Sequence, residues 1–186
     1  DGTATNVTYG TGEFGQAGVF NGSSSKIALP QNSLNSFTSY TASVWINSTV
    51  ASVNQHIINN WGYVNGNTEQ GWLIAKFTDN KIRVLNFNGG GTQVYSSTGT
   101  IPLNTWINII VTNTQSQIKI YFNGALDSTH SSSGFTFNAS YPMMPHIGAI
   151  QYSGGTLNLY NGSIDQVRIF NRALRPYEVE ALYTEE

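Results

Sequence analysis

A two-sheet antiparallel β sandwich, closed by one short C-terminal helix, is the fold this sequence predicts. Three observations predict it. Short apolar or alternating runs recur roughly every ten residues between Gly, Asn, Ser and Thr punctuation. Those runs are rich in Val, Ile, Tyr, Phe and Thr, which suit a pleated, half-buried surface. Four boundaries share one form, an aromatic followed by Asn-Gly: Phe20-Asn21-Gly22, Phe87-Asn88-Gly89, Phe122-Asn123-Gly124 and Tyr160-Asn161-Gly162. Asn-Gly is the strongest short hairpin signal, because both residues tolerate the positive φ of a type I′ turn.

In chain order, the first half is expected to form strands at residues 15–20, 26–29, 40–47, 55–60, 71–77, 81–86 and 92–96. The second half adds strands at 106–114, 117–122, 125–128, 146–150, 157–160 and 163–171. Thr78-Asp79-Asn80-Lys81 reads as a tight turn between two of them. A helix is expected from Pro176, which suits a first helical position, with Val179, Leu182 and Tyr183 at i, i+3, i+4 spacing. Glu178 and Glu180 lie where the helix dipole favours negative charge. So short a helix is marginal alone and must dock by its Val179/Leu182/Tyr183 face. No internal repeat or linker composition interrupts the pattern, so residues 1–186 read as one domain.

Composition excludes several function classes. A chain of 186 residues buries about 70% of its unfolded surface and needs no staple. The absence of cysteine agrees, and leaves the redox compartment open. Charged residues make up 10%, against a globular average of about 25%, with Asn, Ser, Thr and Gly supplying the polar surface. A net charge of −2 provides no electrostatic footprint for nucleic acid. No apolar run of about 18 residues is present, so membrane insertion is not expected. The opening Asp1-Gly2-Thr3 reads as the start of an excised domain and says little about location.

Five blocks in order carry a resemblance. They are Gly15-Gln16-Ala17-Gly18-Val19-Phe20-Asn21-Gly22 with Ile27-Ala28-Leu29-Pro30; Ser43-Val44-Trp45-Ile46; and Trp106-Ile107-Asn108-Ile109-Ile110-Val111. Ile120-Tyr121-Phe122-Asn123-Gly124 follows, then a closing block of Ile147-Gly148, Asn161 through Phe170, Ala173-Leu174, Glu178-Val179 and Leu182-Tyr183. Together they resemble the concanavalin A-like lectin/glucanase superfamily in its laminin-G-like jelly-roll branch. The resemblance implies two antiparallel sheets of roughly six to seven strands, a curved concave face and loops at its rims. That superfamily holds lectins, adhesion modules, glycosidases and viral attachment domains, so fold alone does not assign function.

Catalysis is not expected. Glycoside hydrolysis needs two carboxylates about 5–10 Å apart. The related glucanases set theirs on alternate residues of one strand, and no such motif occurs here. Asp1, Glu13, Glu69, Asp79, Asp127 and Asp165 are scattered, and Glu178 and Glu180 diverge at helical spacing. His56, His130 and His146 lack metal-ligand spacing, and Gly89-Gly90-Gly91 lacks the Lys-Ser/Thr and helix of a phosphate cradle. At period two, Asp165 shares a face with Val167 and Ile169, which would bury its carboxylate. The resemblance implies one solution, a structural Ca²⁺ held by Asp165 with ligands from Asn21-Gly22-Ser23 or from Asp1. The other is that Asp165 caps backbone N–H groups or pairs with an arginine.

Residues 56–72 hold the strongest ligand signal. Sugars offer apolar C–H faces and a ring of hydroxyls, so recognition combines aromatic platforms with planar polar side chains. His56, Asn60, Trp61, Tyr63, Asn65 and Glu69 supply both in what reads as a long Gly-bearing loop. Tyr152, in the loop 151–156, could join the same rim. Trp72 reads as core, while Trp61 could equally face ligand or anchor the loop. The leading function is a non-catalytic carbohydrate-binding module of an extracellular, cell-surface or virion protein, its partner a glycan or glycosylated surface. The alternative is a structural module contacting protein in a larger assembly, and a glycoside hydrolase ranks behind both.

Overall fold

The computed structural model describes residues 1–64, 68–89, 91–137, 143–152 and 155–184. The first half carries β1 (Thr3–Thr5), β2 (Thr8–Thr11), β3 (Gln16–Asn21), β4 (Lys26–Ala28), β5 (Tyr40–Ser48), β6 (Gln55–Val64), β7 (Thr68–Lys76) and β8 (Ile82–Asn88). There follow β9 (Thr92–Ser96), β10 (Ile107–Asn113), β11 (Gln117–Phe122) and β12 (Ala125–Ser131). The chain closes with β13 (His146–Ile147), β14 (Ile150–Tyr152), β15 (Gly155–Leu157), β16 (Asn161–Phe170) and α1 (Pro176–Thr184).

Two seven-stranded antiparallel sheets face one another. The first runs β1-β4-β13-β6-β7-β8-β9 and the second β12-β11-β10-β5-β16-β3-β2. β14 and β15 form a small separate hairpin. Alternate residues fill the space between the sheets: Ile58, Trp72, Ile74 and Val84 from the first, Val44, Ile46, Ile109, Val111 and Ile164 from the second. Burying each such side chain contributes about 1.5–3 kcal/mol. Trp72 is core, as expected, stacked on Tyr40 with ring centroids 4.0 Å apart. Polar bridges also cross between the sheets: the Asn113 amide donates to Asn86 Oδ1 at 2.9 Å and to the Tyr40 hydroxyl at 3.2 Å. Burial raises the Tyr40 pKa, so that hydroxyl stays neutral.

The outer face of the second sheet is covered by α1, whose Val179 and Leu182 pack with Leu174 on Ile110 and Tyr121. Tyr183 stacks on Trp45 at 5.7 Å. The helix starts at Pro176, and the Glu178 carboxylate reaches back to accept the Arg175 N–H at 2.8 Å. The same carboxylate receives the Arg172 guanidinium at 2.7 and 2.8 Å, and its pKa falls to about 2, chiefly through that contact.

Several expectations are corrected. Only Asn123-Gly124, with φ of 48° and 75°, makes the two-residue turn expected of all four Asn-Gly pairs. Asn21-Gly22 instead opens a crossover, since β3 and β4 belong to different sheets. Asn161-Gly162 lies inside β16, where Gly162 faces the Asn47 carbonyl so closely that a Cβ would sit 2.1 Å from its oxygen. The strand expected at 146–150 breaks at Gly148, whose φ of 78° and contact with the Phe20 ring turn the chain away. Of 157–160, only Leu157 is in a strand, because Asn158 adopts φ 50°. β1 and β2 carry no apolar alternation and escape sequence reading.

Two corrections bear on function. The supposed loop at 56–72 is instead two paired strands over its described residues, with Asn60 opposite Trp72, Trp61 opposite Gly71, Tyr63 opposite Glu69 and Val64 opposite Thr68. And Asp165 does not share the face of Val167 and Ile169. A bulge with Gln166 at φ 46° inserts an extra residue after it, so Asp165 stands opposite Trp45 on the outer face while Val167 and Ile169 pack on the core.

Candidate binding site

The outer face of the first sheet holds an open cleft of about 300 Å³. Its floor follows from strand alternation. Trp72 and Ile74 of β7 point into the sandwich, so Leu73 points outward, and Leu85 and Phe87 of β8 do the same. Trp61, from β6, meets Phe87 edge to face with centroids 6.4 Å apart. Phe77 completes the apolar lining.

One wall comes from the β14–β15 hairpin and its exit: Ile150, Leu157 and Asn158. Asn59 anchors the approach to it, donating its amide to the Ala149 carbonyl at 2.6 Å. His56 anchors the exit, because its backbone N–H donates to the Asn158 carbonyl at 2.8 Å. The Asn158 amide in turn donates to His56 Nε2 at 3.2 Å. With Nε2 accepting, the ring proton of neutral His56 belongs on Nδ1. That Nδ1 is buried and has no hydrogen-bond partner among the described residues. Burial lowers the His56 pKa from 6.5 to about 4, so the ring is uncharged at neutral pH. Glu69 and Thr92 form the polar rim, the Thr92 hydroxyl donating to Glu69 Oε2 at 3.3 Å. A second cavity of about 410 Å³ shares Leu157 and Asn158 with the first and adds the amides of Asn54, Gln55 and Asn161.

The structure therefore brings His56, Trp61 and Glu69 together around one cleft, on a sheet face instead of a loop. Trp61 is only 4% exposed, so it is the cleft's floor and not a free-standing platform. Asn60 is corrected: it is fully buried, faces the sandwich interior and donates its amide to Asn35 Oδ1 at 3.3 Å. Tyr63 and Tyr152 hold strand positions in β6 and β14, and Asn65 lies outside the described residues. The sequence did not single out Leu73, Leu85, Phe87, Phe77, Thr92, Ile150, Leu157 or Asn158. The alternation along β7 and β8 contained the signal for the first three, once both faces are apolar and the inward one is known.

The residues proposed for Ca²⁺ do not fit a shared ion. Both Asp165 oxygens accept backbone N–H groups, Oδ2 from Phe14 at 3.0 Å and Oδ1 from Gln166 at 2.7 Å. This is the capping alternative. Asn21 Oδ1 accepts the N–H groups of Ser23, Ser24 and Ser25 at 2.9, 2.8 and 3.1 Å. Asn21 pairs with Asn161, four residues from Asp165 along β16, about 13 Å at ~3.3 Å per residue. Gly22 follows Asn21 into the crossover, and Asp1 precedes β1 in the other sheet.

Comparison with known proteins gives a consistent picture. A family model for a laminin-G-type domain, described as the concanavalin A-like lectin/glucanases superfamily, matches residues 21–180. No curated protein matches the chain. Among solved structures, the chain resembles domain 4 of AbnA, a GH43 extracellular arabinanase from Geobacillus stearothermophilus, in complex with arabinotriose. There the identity is 21% and the TM-score 0.77, covering 98% of this chain and 88% of the other. The CBM40 of the Ruminococcus gnavus IT-sialidase, bound to α2,3-sialyllactose, matches at 15% identity and a TM-score of 0.69, covering 81% and 85%. The binding domain of Paraclostridial Mosquitocidal Protein 1 matches at 21% and 0.73, covering 97% of this chain and 46% of that one.

Proposed function

Because this chain belongs to the concanavalin A-like lectin/glucanases superfamily, we propose that it is a non-catalytic carbohydrate-binding module whose ligand lies in the cleft on the outer face of the first sheet. It works outside the cytoplasm, as a recognition unit of a larger secreted, cell-surface or virion protein. The observation that carries this reading is the make-up of the cleft. An apolar floor of Leu73, Leu85, Phe87, Trp61 and Phe77 lies between polar groups of His56, Glu69, Thr92 and Asn158. A sugar ring needs that pairing, an apolar surface beneath its C–H face and a few oriented polar groups at its edge.

Among the described residues Glu69 is the single carboxylate of the lining, where glycoside hydrolysis calls for a pair about 5–10 Å apart. That supports binding without cleavage. The structural neighbours point the same way, two of them described with an oligosaccharide bound.

A glycan array followed by calorimetric titration tests the proposal. Leu157 is 48% exposed on the cleft wall, so Leu157→Ala removes ligand contact with little effect on folding. Affinity for the best array hit should fall about tenfold, or ~1.4 kcal/mol. Trp61→Ala should abolish binding while the domain remains folded by circular dichroism. An array without hits, or hits indifferent to both variants, overturns the reading.

A further inference from the structure

We infer that the cleft selects uncharged oligosaccharides and excludes acidic ones, sialylated, uronate-bearing or sulfated. The inference rests on the carbohydrate-binding reading and deepens it by naming the ligand class. It follows from where the charges are. The chain has eight lysines and arginines, and none lines the cleft, whose one charged side chain among the described residues is the Glu69 carboxylate. The residues outside the described set contain no Lys, Arg or His, so they bring no cation to it.

The two nearest cations on these strands are already engaged. Lys76 lies at the end of β7 on the side of Trp72 and Ile74, fully buried, and its ammonium donates to the Val50 carbonyl at 2.7 Å. Arg83 lies over the Phe77 ring, 4.4 Å from its centroid, and is paired with Asp79 at 2.8 Å. That pair carries no net charge. His56, kept neutral by burial, brings no countercharge. The adjoining cavity continues the theme, with the amides of Asn54, Gln55, Asn158 and Asn161 and no ionisable side chain in its lining.

An acidic sugar entering here would lose water around its carboxylate or sulfate, find no cation, and meet Glu69. Burying a charge without a partner is costly, and a like charge beside it adds to the cost. Neutral sugars incur neither penalty. Specificity then comes from what the site repels as much as from what it holds.

The test uses the intact chain on an array that pairs neutral glycans with their acidic counterparts. Calorimetry follows with arabinotriose, lactose and α2,3-sialyllactose at 20 mM and 1 M NaCl. Hits should be neutral, and sialyllactose should bind at least about tenfold more weakly than lactose at low salt. The gap should narrow in 1 M NaCl, where charge repulsion is screened, and in Glu69→Gln. If acidic glycans bind as well as or better than neutral ones, and Leu157→Ala still weakens them, the selectivity is wrong and the cleft reading stands. If no glycan of either kind binds, both fall together.

Discussion

His56 couples the cleft to pH. Its pKa is about 4 in the folded chain against an ordinary 6.5, lowered by burial. Between those values the unfolded chain takes up a proton that the folded chain refuses, so stability rises with pH across this window and is lost on acidification. The full loss is about 3 kcal/mol at 1.36 kcal/mol per unit. Urea midpoints at pH 7 and pH 4 should show it, and His56→Asn should flatten the slope; an unchanged slope in the variant would assign the loss elsewhere. Asp165 answers a different question at the same scale. Its two oxygens are spent on the Phe14 and Gln166 N–H groups. Asp165→Ala should therefore cost about 3 kcal/mol, the price of leaving two donors unmet beside the bulge. Melting of the parent chain should be the same in Ca²⁺ and in EDTA. A Ca²⁺-dependent melting point that disappears in Asp165→Ala would show that the ion displaces those N–H groups.

At the scale of elements, the strands were legible because apolar periodicity is local. β5, β7, β8, β10, β11 and β16 all stand where alternation and β-branched residues put them. Pairing partners were less legible, for a physical reason that the four Asn-Gly pairs display. A dipeptide that tolerates positive φ permits a turn without requiring one. At Asn123-Gly124 the ladder closes at Phe122 and Ala125, and the two-residue turn forms. At Asn161-Gly162 the same dipeptide lets β16 pass close to the Asn47 carbonyl instead. The hairpin of β6 and β7 misled for a related reason. Its polar, Gly-bearing sequence reads as a loop, yet the ladder between β6 and β7 carries the strand character out to Val64 and Thr68, and β8 flanks β7 from Gln70 onward. The bulge after Asp165 inverted a face assignment that strict alternation had made. A single inserted residue exchanges the two sides of a strand.

The whole molecule divides its two outer faces between two tasks. α1 closes the face of the second sheet, and the β14–β15 hairpin leaves a cleft on the face of the first. Val179→Ala should accordingly lower stability by about 2 kcal/mol, read from denaturant midpoints, since Val179 is fully buried beneath the helix. Glycan affinity, measured where the variant is folded, should not change. A loss of affinity in the folded variant would mean that the two faces communicate through the core. Fold class, the core place of Trp72, the docked helix and the lack of a strand-borne acid pair were all legible in the chain, because composition and periodicity act between near neighbours. The sequence also singled out His56, Trp61 and Glu69. Long-range packing makes these three meet on a sheet face, turns Asn60 inward, and brings Leu157 and Asn158 from about a hundred residues away to complete the wall. Those contacts depend on register and on bulges, and both are set by packing between strands far apart in the chain.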